Sequence, residues 1–240
     1  VNYLWIISHP SDVAASEARA GWTRIFAASA SWQRLDELRA EPLLQAASTR
    51  RFDLARTTPR RDSDIVFVGT PRGTRRPVVA DAIRVGADLA IYGHGWEGFA
   101  PPSAIRADHL AFGEVPSVYA GARVVLNDHW EDMRCAGFLS NRLFDATFVG
   151  ARVISDAVPG IEEIFGGLVR TYSSDADLVT ALTSDDSWPD RHERDRLVSI
   201  IRREHSFDAR ARHLLTCALQ DGRGALRSAA RQRWRRITRR

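Results

Sequence analysis

Hydrophobic positions fall into short continuous runs that alternate with helical patterns along most of the chain. Tyr3 to Ile7 is an apolar run stopped by Ser8, His9 and Pro10, and it reads as a buried strand. Asp12 to Arg19 reads as helix and Thr23 to Ala28 as strand. Trp32 to Arg39 reads as helix, with Trp32, Leu35 and Leu38 at helical spacing. The polar, arginine-rich residues 49–63, which include Pro59, predict a linker. Asp64 to Gly69 then gives a strand of β-branched and aromatic residues. Pro77 to Val85 follows as a helix, with proline in the first turn, where its missing N–H costs nothing. Strands at Asp88–Tyr92, His109–Phe112, Arg123–Leu126 and Arg152–Ser155 alternate with helices at Val115–Ala120, Asn141–Val149 and Ile161–Phe165, and residues 174–220 read as mostly helical. Fully apolar strands alternating with helices predict an α/β fold, a Rossmann-like parallel sheet covered by helices on both faces.

Charge divides the chain unevenly. All 34 basic residues are arginine, and with abundant alanine this points to a GC-rich, bacterial coding sequence. The net charge is +4, but residues 221–240 hold eight arginines and one aspartate, so the remainder is slightly acidic. An acidic body argues against a nucleic-acid-binding surface. In the tail, Leu226, Ala230, Trp234 and Ile237 share one helical stripe among arginines, the pattern of a basic amphipathic helix on an anionic membrane surface. Cys135 and Cys217 make neither a zinc spacing nor a disulfide framework, which fits a reducing compartment. The opening residues lack a basic leader and no run of about 18 apolar residues occurs, so neither a signal peptide nor a transmembrane helix is expected and the location is read as cytoplasmic.

Ligands of parallel α/β sheets bind outside the carboxyl ends of the strands. Those ends carry Gly69-Thr70-Pro71-Arg72-Gly73, then Gly93-His94-Gly95-Trp96, then Asn127-Asp128-His129-Trp130, then Asp156 to Gly160. No G-x-G-x-x-G joins a strand to a helix, and without lysine there is no P-loop. The segment from Phe138 to Asp145 is more specific. Ser140 is a natural N-cap, and the free N–H groups and positive dipole end of the helix behind it suit a diphosphate. Arg142 adds charge. Asp145 lies one turn after Asn141 on the same face, where a carboxylate can accept two ribose hydroxyls. The run from Asn127 to Asp132 has no second histidine at ligand spacing, so it predicts a polar, substrate-orienting loop and no metal.

Together, Val124 to Met133, Gly137 to Asp145, Gly150 to Asp156 and Pro159-Gly-Ile-Glu-Glu163 resemble the C-terminal domain of CgeB-type, group 1 glycosyltransferases. Phe67 to Thr70, Tyr92 to Trp96 and His205 to Arg210 fit the same family, so the resemblance runs from Ile65 to Leu219. Pro42 to Gln45 with Arg51 and Phe52 resembles its interdomain linker. The resemblance implies a GT-B fold with residues 1–48 as the end of an acceptor-type N-terminal domain, 49–63 as linker, 64–220 as the nucleotide-sugar domain and 221–240 as the basic tail. Most of the acceptor domain is then missing from this sequence. The implied donor is a UDP- or GDP-sugar, transferred to an unknown acceptor without a metal or other cofactor. The expected donor-binding set is Gly69, Thr70, Arg72, Gly93, Trp96, Asn127, His129, Ser140, Asn141, Arg142 and Asp145. Related retaining enzymes carry two glutamates eight positions apart: the ribose contact falls on Asp145, while the sugar contact falls on Gly137. The alternative is a nucleotide-sugar-binding accessory protein without turnover. A third reading is an unrelated flavodoxin-like or sugar-epimerase-like domain.

Overall fold

The computed structural model describes residues 1–237 except Arg19, Asp62, Arg72 and Ser187, with the backbone alone for 224–237. Two parallel sheets organise it. The first has order β1-β2-β3, from Tyr3–Ile6 (β1), Arg24–Ala27 (β2) and Ala40–Pro42 (β3). Short helices at Ala15–Ala18 (α1) and Leu35–Leu38 (α2) make its connections. The second sheet contains Ile65–Val68 (β4), Leu89–Tyr92 (β5), Ile105–Ala107 (β6), Val124–Asn127 (β7), Arg152–Ser155 (β8) and Val169–Thr171 (β9), in the order β6-β5-β4-β7-β8-β9. All its pairings are parallel, with Ile65 beside both Leu89 and Val124.

Alternation along these strands feeds two cores. Val66, Tyr92, Val125 and Val153 face one side, where Val115–Gly121 (α4), Asn141–Phe148 (α6), Ile161–Phe165 (α7) and Arg191–Glu204 (α9) bury Val118, Phe144, Phe165 and Ile201. Phe67, Ile91, Leu126 and Ile154 face the other, under Pro77–Arg84 (α3) and Asp175–Thr183 (α8). Both faces are thus covered, as the apolar strands require.

Several contacts join the two sheets. The segment leading to the linker runs beside the one after α9: Ala47 N–H donates to His205 O at 3.1 Å and Phe207 N–H to Ala47 O at 3.0 Å. Helix α10, Phe207–Ile237, then packs Leu214 and Cys217 against Phe26 and Leu43 of the first sheet region. Asp221 fastens it there, accepting from Arg24 at 2.9 Å and Tyr3 at 2.7 Å. On the opposite face, Met133 and Ala136 of the helix Glu131–Cys135 (α5) region and Phe138 join the core of the first sheet.

Several elements differ from the sequence reading. The strand expected at His109–Phe112 lies instead at Ile105–Ala107, because Gly93 N–H takes the Ala107 carbonyl at 2.8 Å. Leu110 is half-buried there and Phe112 exposed. The first expected helix divides at Pro10–Asp12 and α1, and the second shortens to α2. Strands β3 and β9 and helix α5 had no recognised signal. No helix or strand occurs among the described residues between Ser48 and Asp64, where a linker was expected. The helix through the tail is continuous across residue 220, while the side chains of the stripe from Leu226 to Ile237 lie outside the described residues. Among the described residues no helix is long and apolar enough to cross a membrane.

Candidate functional site

The strand order reverses between β4 and β7. Strands β5 and β6 step outward on one side of β4, and β7 to β9 on the other. In parallel α/β sheets a crevice opens at such a switch point, here outside the carboxyl ends of β4 and β7. Helix α6 aims its N-terminus there. Ser140 caps it, its Oγ accepting the Arg142 N–H at 3.3 Å, and Gly150 in the left-handed region (φ 74°) lies just beyond its end. The N–H of Asn141 begins the helix and has no carbonyl within it to bond.

Arg142 spans the switch point. Its guanidinium donates to Val68 O, at the end of β4, at 2.7 Å and to Asn127 Oδ1, at the end of β7, at 2.9 Å. It also lies 4.8 Å from the centre of the Phe67 ring. A guanidinium has five N–H donors, so this bridge leaves donors for a ligand. One turn along α6, Asp145 Oδ2 accepts from Asn141 Nδ2 at 2.8 Å. Burial pushes the Asp145 carboxyl up to about 7, against the opposing pull of the Asn141 hydrogen bond, Arg142 and Arg51.

The glycines at the strand ends have a steric reason. Gly69 and Gly93 have φ of 153° and 146°. A Cβ on Gly93 would lie 2.2 Å from Gly69 O, so only glycine lets these two strand ends close up.

The expected donor-binding residues divide into two groups. Gly69, Thr70, Gly93, Ser140, Asn141, Arg142 and Asp145 are half-buried around the crevice. Trp96, Asn127 and His129, also expected at the donor, are buried, with their polar side-chain atoms bonded to other elements of the chain. Trp96 is 1% exposed, donates to Gly69 O at 2.8 Å and packs edge-on against Phe67. Asn127 lies between Arg142 and Ser155, and the His129 side chain is fully enclosed. In the loop expected to orient substrate, Asn127, Asp128 and His129 are all buried. Arg72 lies outside the described residues.

Sequence reasoning missed a second arginine. Arg76, 4% exposed, donates to Thr70 O at 3.2 Å and pairs with the buried carboxylate of Asp128. Its guanidinium is 4.9 Å from the Phe67 ring that Arg142 also touches. Arg75, beside Arg76, is exposed, and only the position of Arg76 just before Pro77 at a helix start hinted which of the two turns inward. Arg76 Nε and Asp128 Oδ2 have no partner. Among the described residues no group of three or more His, Cys, Asp or Glu is placed to hold a metal.

Gly137 is also informative. Its φ is 68°, and a Cβ there would lie 2.0 Å from Ser31 Oγ of the first sheet region. Ser29 Oγ–H donates to Ala136 O at 2.7 Å and fixes this contact.

A family model described as glycosyl transferase-like matches residues 75–216. No curated protein sequence matches the chain. Among solved structures, the chain is similar to sucrose-phosphate synthase from Thermosynechococcus elongatus, with TM-score 0.55 and 12% identity over 90% of this chain and 64% of that one. It is similar to a glycosyltransferase from Rickettsia africae ESF-5, with TM-score 0.56 and 11% identity over 82% and 63%. It also matches Anabaena Alr3699/HepE in complex with UDP-glucose, with TM-score 0.53 and 12% identity over 93% and 71%. The chain thus spans 64% and 63% of the first two structures. These likenesses give the fold, that of GT-B glycosyltransferases. The matched segment runs from the loop before α3 into α10, more than half of the chain, and holds β7 of the switch point and helix α6, so the chain belongs to the glycosyl transferase-like family.

Proposed function

We propose that the chain binds a nucleotide-sugar donor, a UDP- or GDP-sugar, in the crevice between β4 and β7 and transfers its sugar to an acceptor. The observation that carries this reading is Arg142, which bridges the two strand ends at the capped N-terminus of α6 with Asp145 one turn behind it. In this reading the α6 N–H groups and Arg142 hold the diphosphate, and Asp145 accepts the ribose hydroxyls. As the glycosidic bond breaks, negative charge grows on the diphosphate. A fixed helix end and a guanidinium stabilise that charge without a metal. The UDP-glucose complex of Alr3699/HepE supports the donor class. The CgeB-type assignment, a cytoplasmic location and the origin of the first sheet in an acceptor-type domain belong to the same proposal.

Thermal melting tests it. UDP, GDP, UDP-glucose or GDP-mannose at about 100 times its dissociation constant should stabilise the fold by about 2.7 kcal/mol, with EDTA making no difference. Failure of every nucleotide to shift the transition contradicts the site. A shift abolished by EDTA and restored by manganese contradicts metal independence.

A second reading, a binding or accessory protein without turnover, is favoured by Gly137. The resemblance places an acidic sugar contact at this position, yet here Ser31 fills the space. Nucleotide binding without release of free sugar or product would favour it.

The tail is proposed as a peripheral tether to anionic membrane. Because Asp221 anchors α10 to Arg24 and Tyr3, the informative truncation ends at Arg223. The full chain is expected to sediment with anionic liposomes at low salt and to dissociate at high salt, with the truncated chain staying in solution. Equal behaviour of the two chains removes the tether.

A further inference from the structure

The hydrogen bonds under the crevice form a closed circuit. Arg142 donates to Asn127 Oδ1 at 2.9 Å, and Asn127 Nδ2 donates to Ser155 Oγ at 2.9 Å. Ser155 Oγ–H donates to Asp156 Oδ1 at 3.0 Å, and His129 Nδ1 lies 2.6 Å from the same oxygen. Ser140 N–H then donates to His129 Nε2 at 2.9 Å, and Ser140 Oγ accepts from Arg142 N–H, which closes the ring. Every link is a side chain or amide at or just beyond the ends of β7 and β8, or at the cap and first turn of α6.

The direction of one link decides the state of His129. A backbone N–H can only donate, so Nε2 presents its lone pair to Ser140. The ring proton is then on Nδ1, shared with Asp156. Asp156 Oδ2 also accepts the His129 backbone N–H at 3.2 Å, which fixes the residue at both ends. In a capping box, a Glu or Gln at the third helical position accepts the N–H of the cap residue. Here that position is Leu143, and His129 supplies the missing acceptor from another element. With its side chain enclosed and both nitrogens committed, His129 cannot touch a donor itself.

We propose that His129, as the neutral Nδ1–H tautomer oriented by Asp156, is a positioning residue that holds the N-terminus of α6 against the ends of β7 and β8; the proposal rests on the donor-site reading above. The physical basis is geometric, because N–H groups bind a diphosphate well only when fixed in advance.

Two substitutions separate the halves of the ring. His129→Gln can place an oxygen near Nε2 and keep the acceptor for Ser140. His129→Asn can keep a donor to Asp156 but leaves Ser140 N–H unpaired. Both lose the ring and its packing, so both should melt lower to a similar extent. Titration with UDP and GDP by calorimetry is expected to show His129→Gln within about threefold of the unsubstituted protein. His129→Asn is expected to bind at least about tenfold more weakly, the size of one lost hydrogen bond. In the unsubstituted protein, nitrogen-15 spectra of the imidazole should show the neutral Nδ1–H tautomer. An Nε2–H tautomer, a doubly protonated ring, or equal affinity loss in the two variants overturns the proposal. If the unsubstituted protein binds neither UDP nor GDP, the donor-site reading fails and this role fails with it. Equal loss in both variants while the unsubstituted protein binds rejects the role of His129 alone.

Discussion

Arg142→Ala is expected to weaken binding of a nucleoside diphosphate by about 1–3 kcal/mol, roughly 5- to 160-fold, and to lower thermal stability at the same time. The two losses have separate causes. The affinity loss removes a guanidinium at the helix end, where charge-assisted hydrogen bonds to phosphate are strong. The stability loss follows from Val68 O and Asn127 Oδ1, which lose their donor at 2.7 and 2.9 Å. Leaving such acceptors unpaired costs about 1–3 kcal/mol each, and in a chain of this size every 1 kcal/mol moves the melting temperature by about 2–4 °C. Arg142→Lys separates the effects. It keeps one positive charge but not the planar fork that reaches both oxygens. It should retain part of the nucleotide affinity while losing most of the bridging stability. Calorimetry with UDP and GDP, paired with melting curves, checks both. If Arg142→Ala melts lower yet binds nucleotide unchanged, Arg142 serves only as a strut between β4 and β7.

Arg142 also shows where the sequence was legible. Its place at a capped helix start could be read from Ser140 and the apolar spacing behind it, because capping is local chemistry. The strands could be read for a similar reason. Segments such as Ile65–Val68 and Val124–Asn127 are apolar on both faces, and only a covered parallel sheet accommodates that. What could not be read is long-range. The bridge from Arg142 to Val68 O joins residues 74 positions apart, and the inward turn of Arg76 toward Asp128 spans 52. Trp96, Asn127 and His129 sit where a ligand contact was expected, yet each is drawn inward by a partner on another element. Short elements escaped for a different reason. Strands β3 and β9 have three residues each and helix α5 has five, too few for a period to show. The placing of β6 at Ile105–Ala107, where a strand was expected at His109–Phe112, has a long-range origin too, since pairing with β5 outweighed local hydrophobicity.

The most diagnostic solution measurement concerns Asp145. Burial raises its carboxyl to about 7 in the folded protein. The sign follows directly: a carboxyl that holds its proton more tightly in the folded state stabilises the fold while both states are protonated at low pH. That contribution is lost as pH rises through about 7. The unliganded protein should therefore lose stability between about pH 4 and pH 7, by at most about 4 kcal/mol from this group if the whole shift is expressed. Asp145→Asn keeps the shape and an oxygen for Asn141 Nδ2 but cannot ionise. It should remove this slope and melt higher than the unsubstituted protein near pH 8. Nucleotide binding should run the other way. Ribose hydroxyls donate best to an ionised carboxylate, so UDP or GDP should bind more tightly as pH rises from about 6 to about 8. In Asp145→Asn the affinity should be lower and nearly flat across that range. Parallel pH series of melting and calorimetry on both proteins decide the matter. A variant that loses the stability slope but keeps the rise in affinity would mean that Asp145 is a strained core carboxyl and that another group meets the ribose. A variant that loses both places the carboxylate on the nucleotide.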